Sequence, residues 1–157
     1  IDMVYWAKEK NVSLYFIAIN RPNMVDIDVN WYKKKEYSFL WPENADKMCF
    51  IIDKLINLKK QGYFIENQIG QLERFKLYFL NPSRFILNKN CNLDYKMLHI
   101  DPQGEIHLCC ELDSIGNINY NQIGQVWSSN KAHDVREKIK ACRRNCAMMV
   151  NCYQGED

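Results

Sequence analysis

The residues best suited to chemistry in this chain are its cysteines. There are seven among 157 residues, and six of them follow residue 90. Cys91 is followed by twelve residues, then Gly104, then four residues, then Cys109; three residues separate Cys142 from Cys146, and five separate Cys146 from Cys152. Clustered thiols in a protein that is not exported most often bind metal, because thiolates are strong ligands for zinc and iron–sulfur clusters.

A β-hairpin is predicted to bring the first two of these thiols together. The segment Asp101–Gly104 suits a type I turn, with Asp at the first position, Pro at the second and Gly at the fourth. Cys91 lies just before the first strand of this hairpin and Cys109 at the end of the second. Since a hairpin brings its two ends together, we expect both side chains to face one site.

A helix over residues 128–142 is predicted to supply the other sulfurs. Ala132, Val135 and Ile139 form an apolar stripe that Cys142 continues, with a Ser or Asn as the N-cap. Cys146 and Cys152 fall in the turn beyond. Residues 111–126, which join hairpin and helix, are predicted to be a loop. Four sulfurs from two separate segments can therefore converge.

Two cysteines are predicted to have packing roles. Successive side chains of a regular strand point to opposite faces, so Cys109 and Cys110 cannot both reach one site. We take Cys109 as the ligand and place Cys110 in the core beside Ile106 and Leu108. Cys49, next to Met48 on an amphipathic helix, is predicted to be a buried small hydrophobe.

The spacing leaves three kinds of cysteine site open. Neither half of the set has the C-x₂-C knuckle usual in zinc sites, and iron–sulfur clusters accept wider spacings. An iron–sulfur cluster is therefore favoured, a structural zinc site is the alternative, and a disulfide domain is the weakest interpretation.

The first part of the chain has an alternating pattern of helices and strands. Residues 1–10 resemble the end of a helix, and the apolar run 12–20 is predicted to be a strand buried on both faces, as in a parallel sheet. A helix of about 16 residues follows within 42–62, then a short strand at 63–67 and a helix that begins near Ile69 and stops near Pro82. The predicted fold class is α/β: the last βα units of a partial TIM-like barrel over residues 1–88, and a small α+β domain over 89–157.

Composition excludes several classes of partner. Lys and Arg number 21 against 19 Asp and Glu, so the net charge of +2 gives no electrostatic case for nucleic acid or an acidic membrane. No apolar run reaches the roughly 18 residues that span a bilayer. The opening "IDMVYWAKEK" has no basic stretch followed by an apolar one, so we predict no signal peptide and a cytoplasmic protein.

The cysteine-rich part resembles the auxiliary-cluster domain, of the SPASM/Twitch type, of radical S-adenosylmethionine enzymes. The resemblance rests on "CNLDYKMLHIDPQGEIHLCC" and on "IGNINYNQIGQVWSSNKAHDVREKIKACRRNC", in which an "IGN" turn leads to Val126-Trp127 and then to a helix ending in cysteines. It covers residues 91–152. The upstream "GYFIENQIGQLERFKLYFLNP" is similar to the final strand and helix of the family's partial barrel.

The resemblance implies one auxiliary [4Fe–4S] cluster. The full SPASM pattern holds two clusters, but Glu156 stands where its last cysteine would be. The candidate ligands are Cys91, Cys109, Cys142, Cys146 and Cys152. Which of the last three is left out stays open, with Cys152 favoured.

The family's C-x₃-C-x₂-C motif, which binds the cluster that cleaves S-adenosylmethionine, is absent from these 157 residues. The resemblance therefore implies a C-terminal fragment that is not catalytically complete alone. The partner is the missing N-terminal barrel portion, which brings S-adenosylmethionine and a second [4Fe–4S] cluster. The implied substrate is a peptide or a carbohydrate. Asn20 and Asn67 follow the two predicted strands, at the end that carries active sites in barrels, and are candidate cofactor-binding residues.

Overall fold

The computed structural model of the chain describes residues 1–19, 30–87, 91, 93–142, 146 and 148–152. Its first part contains helices, short 3₁₀ turns and two extended segments. The helices are α1 (Asp2–Glu9), α2 (Ala45–Lys60), α3 (Ile69–Leu80) and α4 (Pro82–Leu87), and the 3₁₀ turns are Trp31–Lys33 and Ser38–Leu40. The extended segments are residues 12–19 and 63–66. They meet at an isolated parallel bridge between Leu14 and Ile65.

Local chemistry sets the ends of these helices. The Asn44 side chain accepts a hydrogen bond from the Lys47 amide at 2.8 Å and so caps the first turn of α2. The helix over Ala45–Lys60 has the predicted 16 residues, and Gly62 beyond it has a positive φ of 81°. Pro82 ends α3 as predicted, but it also begins α4, because a proline is well accommodated at the first position of a helix.

The segment 12–19 differs from the predicted strand in its burial. Leu14, Phe16 and Ala18 point toward the protein interior, whereas Tyr15 and Ile17 are 51% and 69% exposed. The prediction that this run is buried on both faces is therefore wrong for the described residues. One face packs against the apolar core of this part of the chain, whereas the side chains of the other face are more than half exposed.

The second part of the chain is a small antiparallel sheet with helices. Strands β1 (His99–Ile100), β2 (Glu105–His107) and β3 (Gly116–Asn117) lie in that order, followed by α5 (Ile123–Trp127), α6 (Asn130–Ala141) and α7 (Met148–Asn151). The predicted hairpin and α6 are confirmed. Residues 111–126, which we predicted to be a loop, contribute a third strand and a short helix.

The predicted turn joins β1 and β2. The Gly104 amide donates to the Asp101 carbonyl at 2.9 Å, and the Asp101 carboxylate accepts from the amides of Gln103 and Glu105, both at 2.9 Å. Gly104 has a φ of 84°, which a residue without a Cβ adopts at little cost. The register pairs His99 with His107 and so fixes where Cys109 leaves the sheet.

Two apolar cores divide the described residues. The larger is centred on α2 and α3 and includes Leu72, Phe75 and Tyr78; the smaller lies between the sheet and α6 and includes Ile106 and Ile139. Val150 of α7 belongs to the larger core, although it lies near the end of the chain. The proposed boundary near residue 88 stays a prediction. Within the described ranges, no helix is both long enough and apolar enough to cross a membrane.

Candidate metal centre

Cys91 lies where the two apolar cores meet. Its side chain is half-buried and packs against both of them. Burial raises the pKa of its thiol from 9.0 to about 11, against the opposing effect of a hydrogen bond with the Leu93 backbone. The Cys109 and Cys142 thiols also raise this pKa, so they lie close enough for their charges to act on it.

Cys109 and Cys110 lie in a turn and not in a strand, which corrects our prediction for this pair. Strand β2 ends at His107, and the Leu112 amide donates to the Cys109 carbonyl at 3.1 Å, closing the turn. The alternation that would send the two side chains to opposite faces has therefore ended, and their thiols form a hydrogen bond with each other. It is Cys109, not Cys110, that packs against the smaller core.

The pKa values of the Cys109 and Cys110 thiols are shifted in opposite directions. The hydrogen bond with Cys110, and then burial, raise the pKa of the Cys109 thiol, and the same bond lowers the pKa of Cys110. The Cys109 sulfur also accepts a hydrogen bond from the Glu111 amide at 3.4 Å, the kind of contact that stabilises a thiolate or a sulfur bound to metal. Our sequence reasoning missed Cys110 as a member of this group; the adjacent Cys-Cys was the signal that could have found it.

The other three thiols approach from the C-terminal side. Cys142 caps α6, and its amide donates to the Ile139 carbonyl at 3.0 Å. The charge of Cys146 raises the pKa of Cys110, and the charge of Cys109 raises that of Cys152, which burial raises most. The Cys152 sulfur lies 3.9 Å from the sulfur of Met97, just before β1.

Each of the five predicted ligands, and Cys110, affects or is affected by the pKa of another cysteine in this set. We call these six residues the thiol group (Cys91, Cys109, Cys110, Cys142, Cys146 and Cys152). All seven cysteines of the chain are described, and none is in a disulfide bond. Among the described residues, however, no three His, Cys, Asp or Glu side chains are arranged to hold a single metal ion. The ligand assignment therefore stays a prediction.

The two predicted cofactor-binding asparagines have different outcomes. Asn20 lies outside the described residues. Asn67 is described and fully buried, with 0% exposure. Its amide oxygen accepts from the Phe16 amide at 2.6 Å, and its amide nitrogen donates to the Phe16 carbonyl at 2.8 Å and to Gln71 Oε1 at 2.9 Å. These contacts join the two extended segments; a contact of Asn67 with a cofactor stays a prediction.

Cys49, which we predicted to be buried, is only half-buried on α2. Burial still raises the pKa of its thiol, and its nearest charged neighbours are Lys76, Asp46 and Asp53, not other thiols. It lies at the rim of the α2–α3 packing because the apolar side of α2 turns Ile52 and Leu55 inward instead. Cys49 therefore has no link to the thiol group.

The fold and the thiol group together define a small cysteine-rich α+β domain. Residues 91–153 match the family model described as SPASM, an iron–sulfur cluster-binding domain. This part of the chain is a SPASM domain, and it confirms the resemblance inferred from the two cysteine-bearing stretches. No curated protein and no solved structure matches the chain.

The donor set is of the kind that an iron–sulfur cluster takes, since all the candidate ligands are cysteine thiols within the matched domain. In a [4Fe–4S] cluster each thiolate binds a different iron, so the four sulfurs stand farther apart than four thiolates around a single ion. The Glu111 amide aimed at the Cys109 sulfur is a second feature of such sites.

Proposed function

We propose that the chain is the C-terminal region of a radical S-adenosylmethionine enzyme and that its SPASM domain binds one auxiliary [4Fe–4S] cluster. The observation that carries the proposal is the match of residues 91–153 to an iron–sulfur domain whose cysteines are mutually coupled in the structure. The proposed ligands are Cys91, Cys109, Cys142 and Cys146. Cys152 is the alternative to one of the last two.

The role of these residues is to hold the cluster at the junction of the two cores. Cys91 contacts both cores. Cys146 lies close enough to Tyr78, a residue of the larger core, for its charge to raise the pKa of that hydroxyl, although burial raises it more. Once bound, the cluster would accept or relay an electron or contact the substrate. S-adenosylmethionine, a second [4Fe–4S] cluster and a peptide or carbohydrate substrate belong to the same proposal for the complete enzyme.

The open edge of the segment 12–19 supports a larger barrel. Among the described residues no hydrogen bond reaches the backbone of Tyr15 or Ile17, and their side chains are exposed. The opposite edge is paired in parallel with Ile65. A strand paired on one side is what the last units of a partial barrel present to the units before them. The coding sequence on the amino-terminal side of Ile1 tests this, and we expect C-x₃-C-x₂-C there, at the end of a first strand.

Metal analysis after anaerobic purification tests the cluster directly. We expect about four irons per chain and broad visible absorbance. Cys91→Ser should lose most of the iron, whereas Cys49→Ser, which changes a cysteine outside the thiol group, should retain it. A colourless protein with one zinc per chain would overturn the cluster and support the alternative, a non-catalytic zinc-binding interaction module.

A further inference from the structure

One edge of the segment 12–19 is paired at three successive positions, first by backbone and then by two asparagine side chains. At Leu14 the edge is paired by backbone: the Leu14 amide donates to the Phe64 carbonyl and the Leu14 carbonyl accepts from the Glu66 amide, both at 2.8 Å. At Phe16 the partner is the side-chain amide of Asn67. A side-chain amide offers the same donor and acceptor as a peptide group, so it can continue a ladder that the backbone has left.

At Ala18 the partner is Asn151, 133 residues along the chain. The Ala18 amide donates to Asn151 Oδ1 at 2.7 Å, and Asn151 Nδ2 donates to the Ala18 carbonyl at 3.0 Å. Both polar groups of the side chain are therefore used on one residue of the strand. Asn151 ends α7, the helix that immediately precedes Cys152.

The backbone of α7 is held at the same place. The Asn151 carbonyl accepts from the Tyr15 hydroxyl at 2.7 Å and from Gln71 Nε2 at 2.9 Å. Gln71 Nε2 also lies 3.0 Å from the Val150 carbonyl, and Gln71 and Val150 are fully buried. Because an amide or carbonyl in such a buried site is costly to leave unbonded, the network holds α7 in one position.

One residue further on, the chain reaches the thiol group. Cys152 lies next to Met97 and is coupled to Cys109. Asn151, which is bonded near the carboxyl end of the strand, and Cys152, which belongs to the thiol group, are therefore adjacent residues. That end of a strand carries the reacting groups in barrel enzymes.

We propose that Asn151 is a positioning residue: it pins to Ala18 the segment between Cys146, a proposed ligand, and Cys152, the alternative ligand, and so sets where the cluster stands relative to the carboxyl end of the strand. This inference rests on the proposed function. Asn67 makes the equivalent pair of bonds with Phe16, within the larger core, and reaches α7 only indirectly, through Gln71. The two asparagines therefore make the same bonds with different consequences.

Hydrogen exchange and electron paramagnetic resonance on the full chain test the pin. Asn151→Ala removes both bonds to Ala18, and we expect the Ala18 amide to exchange about tenfold faster while the Phe16 amide, bonded to Asn67, keeps its rate. With iron content unchanged, the resonance spectrum of the reduced protein should shift or broaden. The matched control is Asn57→Ala, an exposed asparagine of α2, which should change neither quantity.

Tyr15→Phe provides a second variant if Asn151→Ala does not fold. It removes only the hydroxyl contacts with Asn151 and Gln71 at an exposed side chain, and it should speed exchange at Ala18 to a smaller extent. Unchanged protection of Ala18 in Asn151→Ala would overturn the pin, and faster exchange with an unchanged spectrum would overturn its effect on the cluster. If the wild-type chain binds no iron, the proposed function is refuted. The hydrogen-exchange test of the pin still applies in that case, because it reports the bonds between Asn151 and Ala18 whether or not a cluster is bound.

Discussion

The thiols of Cys109 and Cys110 are hydrogen-bonded to each other although the residues are adjacent in the chain. In a regular strand their side chains would point to opposite faces. The contact exists because β2 ends at His107 and the chain turns at once, with the Leu112 amide bonded to the Cys109 carbonyl. The turn thus offers two sulfurs at one position of the thiol group.

This pair predicts that Cys110 can substitute for Cys109. We expect Cys110→Ser to keep its iron, Cys109→Ser to lose about half, and the double variant to lose nearly all of it, because the neighbouring thiol can reach the position that Cys109 leaves. Iron and sulfide analysis of anaerobically reconstituted protein gives the measurement. If Cys109→Ser alone is already devoid of iron, then Cys110 does not reach the site.

Sequence patterns found the elements whose signals are local. The asparagine cap and apolar period of α2 lie within a few residues, as do the Asp-Pro-Gln-Gly turn of the hairpin and the apolar stripe of α6. Each is decided by neighbouring residues, so a single sequence suffices to predict it. The SPASM domain was indicated by the resemblance of residues 91–152 to that family, which the family match confirms, whereas the cysteine spacing alone favoured only an iron–sulfur cluster.

The features that escaped prediction depend on distant contacts or on where an element stops. The role of Asn151 at Ala18 joins residues 133 apart, and no periodicity records it. The place of Cys110 depends on β2 ending two residues before Cys109, and strand ends are the least certain part of such a prediction. The exposed face of the segment 12–19 was missed because an apolar run indicates burial without indicating what provides it.

Cysteine reactivity in the iron-free chain should follow the pKa shifts. The pKa of Cys110 is lowered by its hydrogen bond with Cys109, whereas burial raises that of Cys91 to about 11. At mildly alkaline pH, Cys110 is therefore more often a thiolate and should be alkylated first, since the thiolate is the nucleophile. Alkylation of Cys91 should keep accelerating as the pH rises past 9.0 toward about 11.

Timed iodoacetamide labelling with peptide mapping measures both rates. Cys49, whose pKa is raised by burial at a site remote from the other thiols, serves as the internal reference. Equal rates at Cys110 and Cys91 would contradict the asymmetry. Protection of both cysteines after reconstitution with iron would also show that they lie at the bound cluster.

Gly104 is predicted to be intolerant of a side chain. Its φ of 84° is unfavourable for alanine, and a Cβ there would lie 2.7 Å from Asn119 Nδ2. Gly104→Ala should lower the free energy of unfolding by about 1–2 kcal/mol or more and weaken iron binding, because this turn sets the register that places Cys109. Gly62 has a φ of 81° but open space around it, so Gly62→Ala tests the backbone strain without a steric clash. We expect it to lower the free energy of unfolding by about 1 kcal/mol.

Gly124 completes the comparison, since it lies in α5 without a positive φ, and a methyl group added there would have no neighbour within 4 Å. Gly124→Ala should be neutral or stabilise by up to about 1 kcal/mol, because alanine loses less backbone entropy in a helix. Urea unfolding of the three variants, with iron content measured in parallel, gives the order. A Gly104→Ala chain as stable as wild type would contradict the turn geometry.

The larger core should carry most of the stability of the chain, and α3 allows a matched test within one helix. Leu72 is fully buried, with 0% exposure, whereas Leu77 is 53% exposed. Leu72→Ala should lower the free energy of unfolding by about 2–5 kcal/mol, because it removes buried methyl groups and leaves a cavity. Leu77→Ala makes the same chemical change at the surface of α3 and should cost less than about 1 kcal/mol. Leu72 packs in the core that also contains Val150, so Leu72→Ala should also speed hydrogen exchange at Ala18, where α7 is pinned. Equal stability of the two variants would mean that α3 does not pack as described.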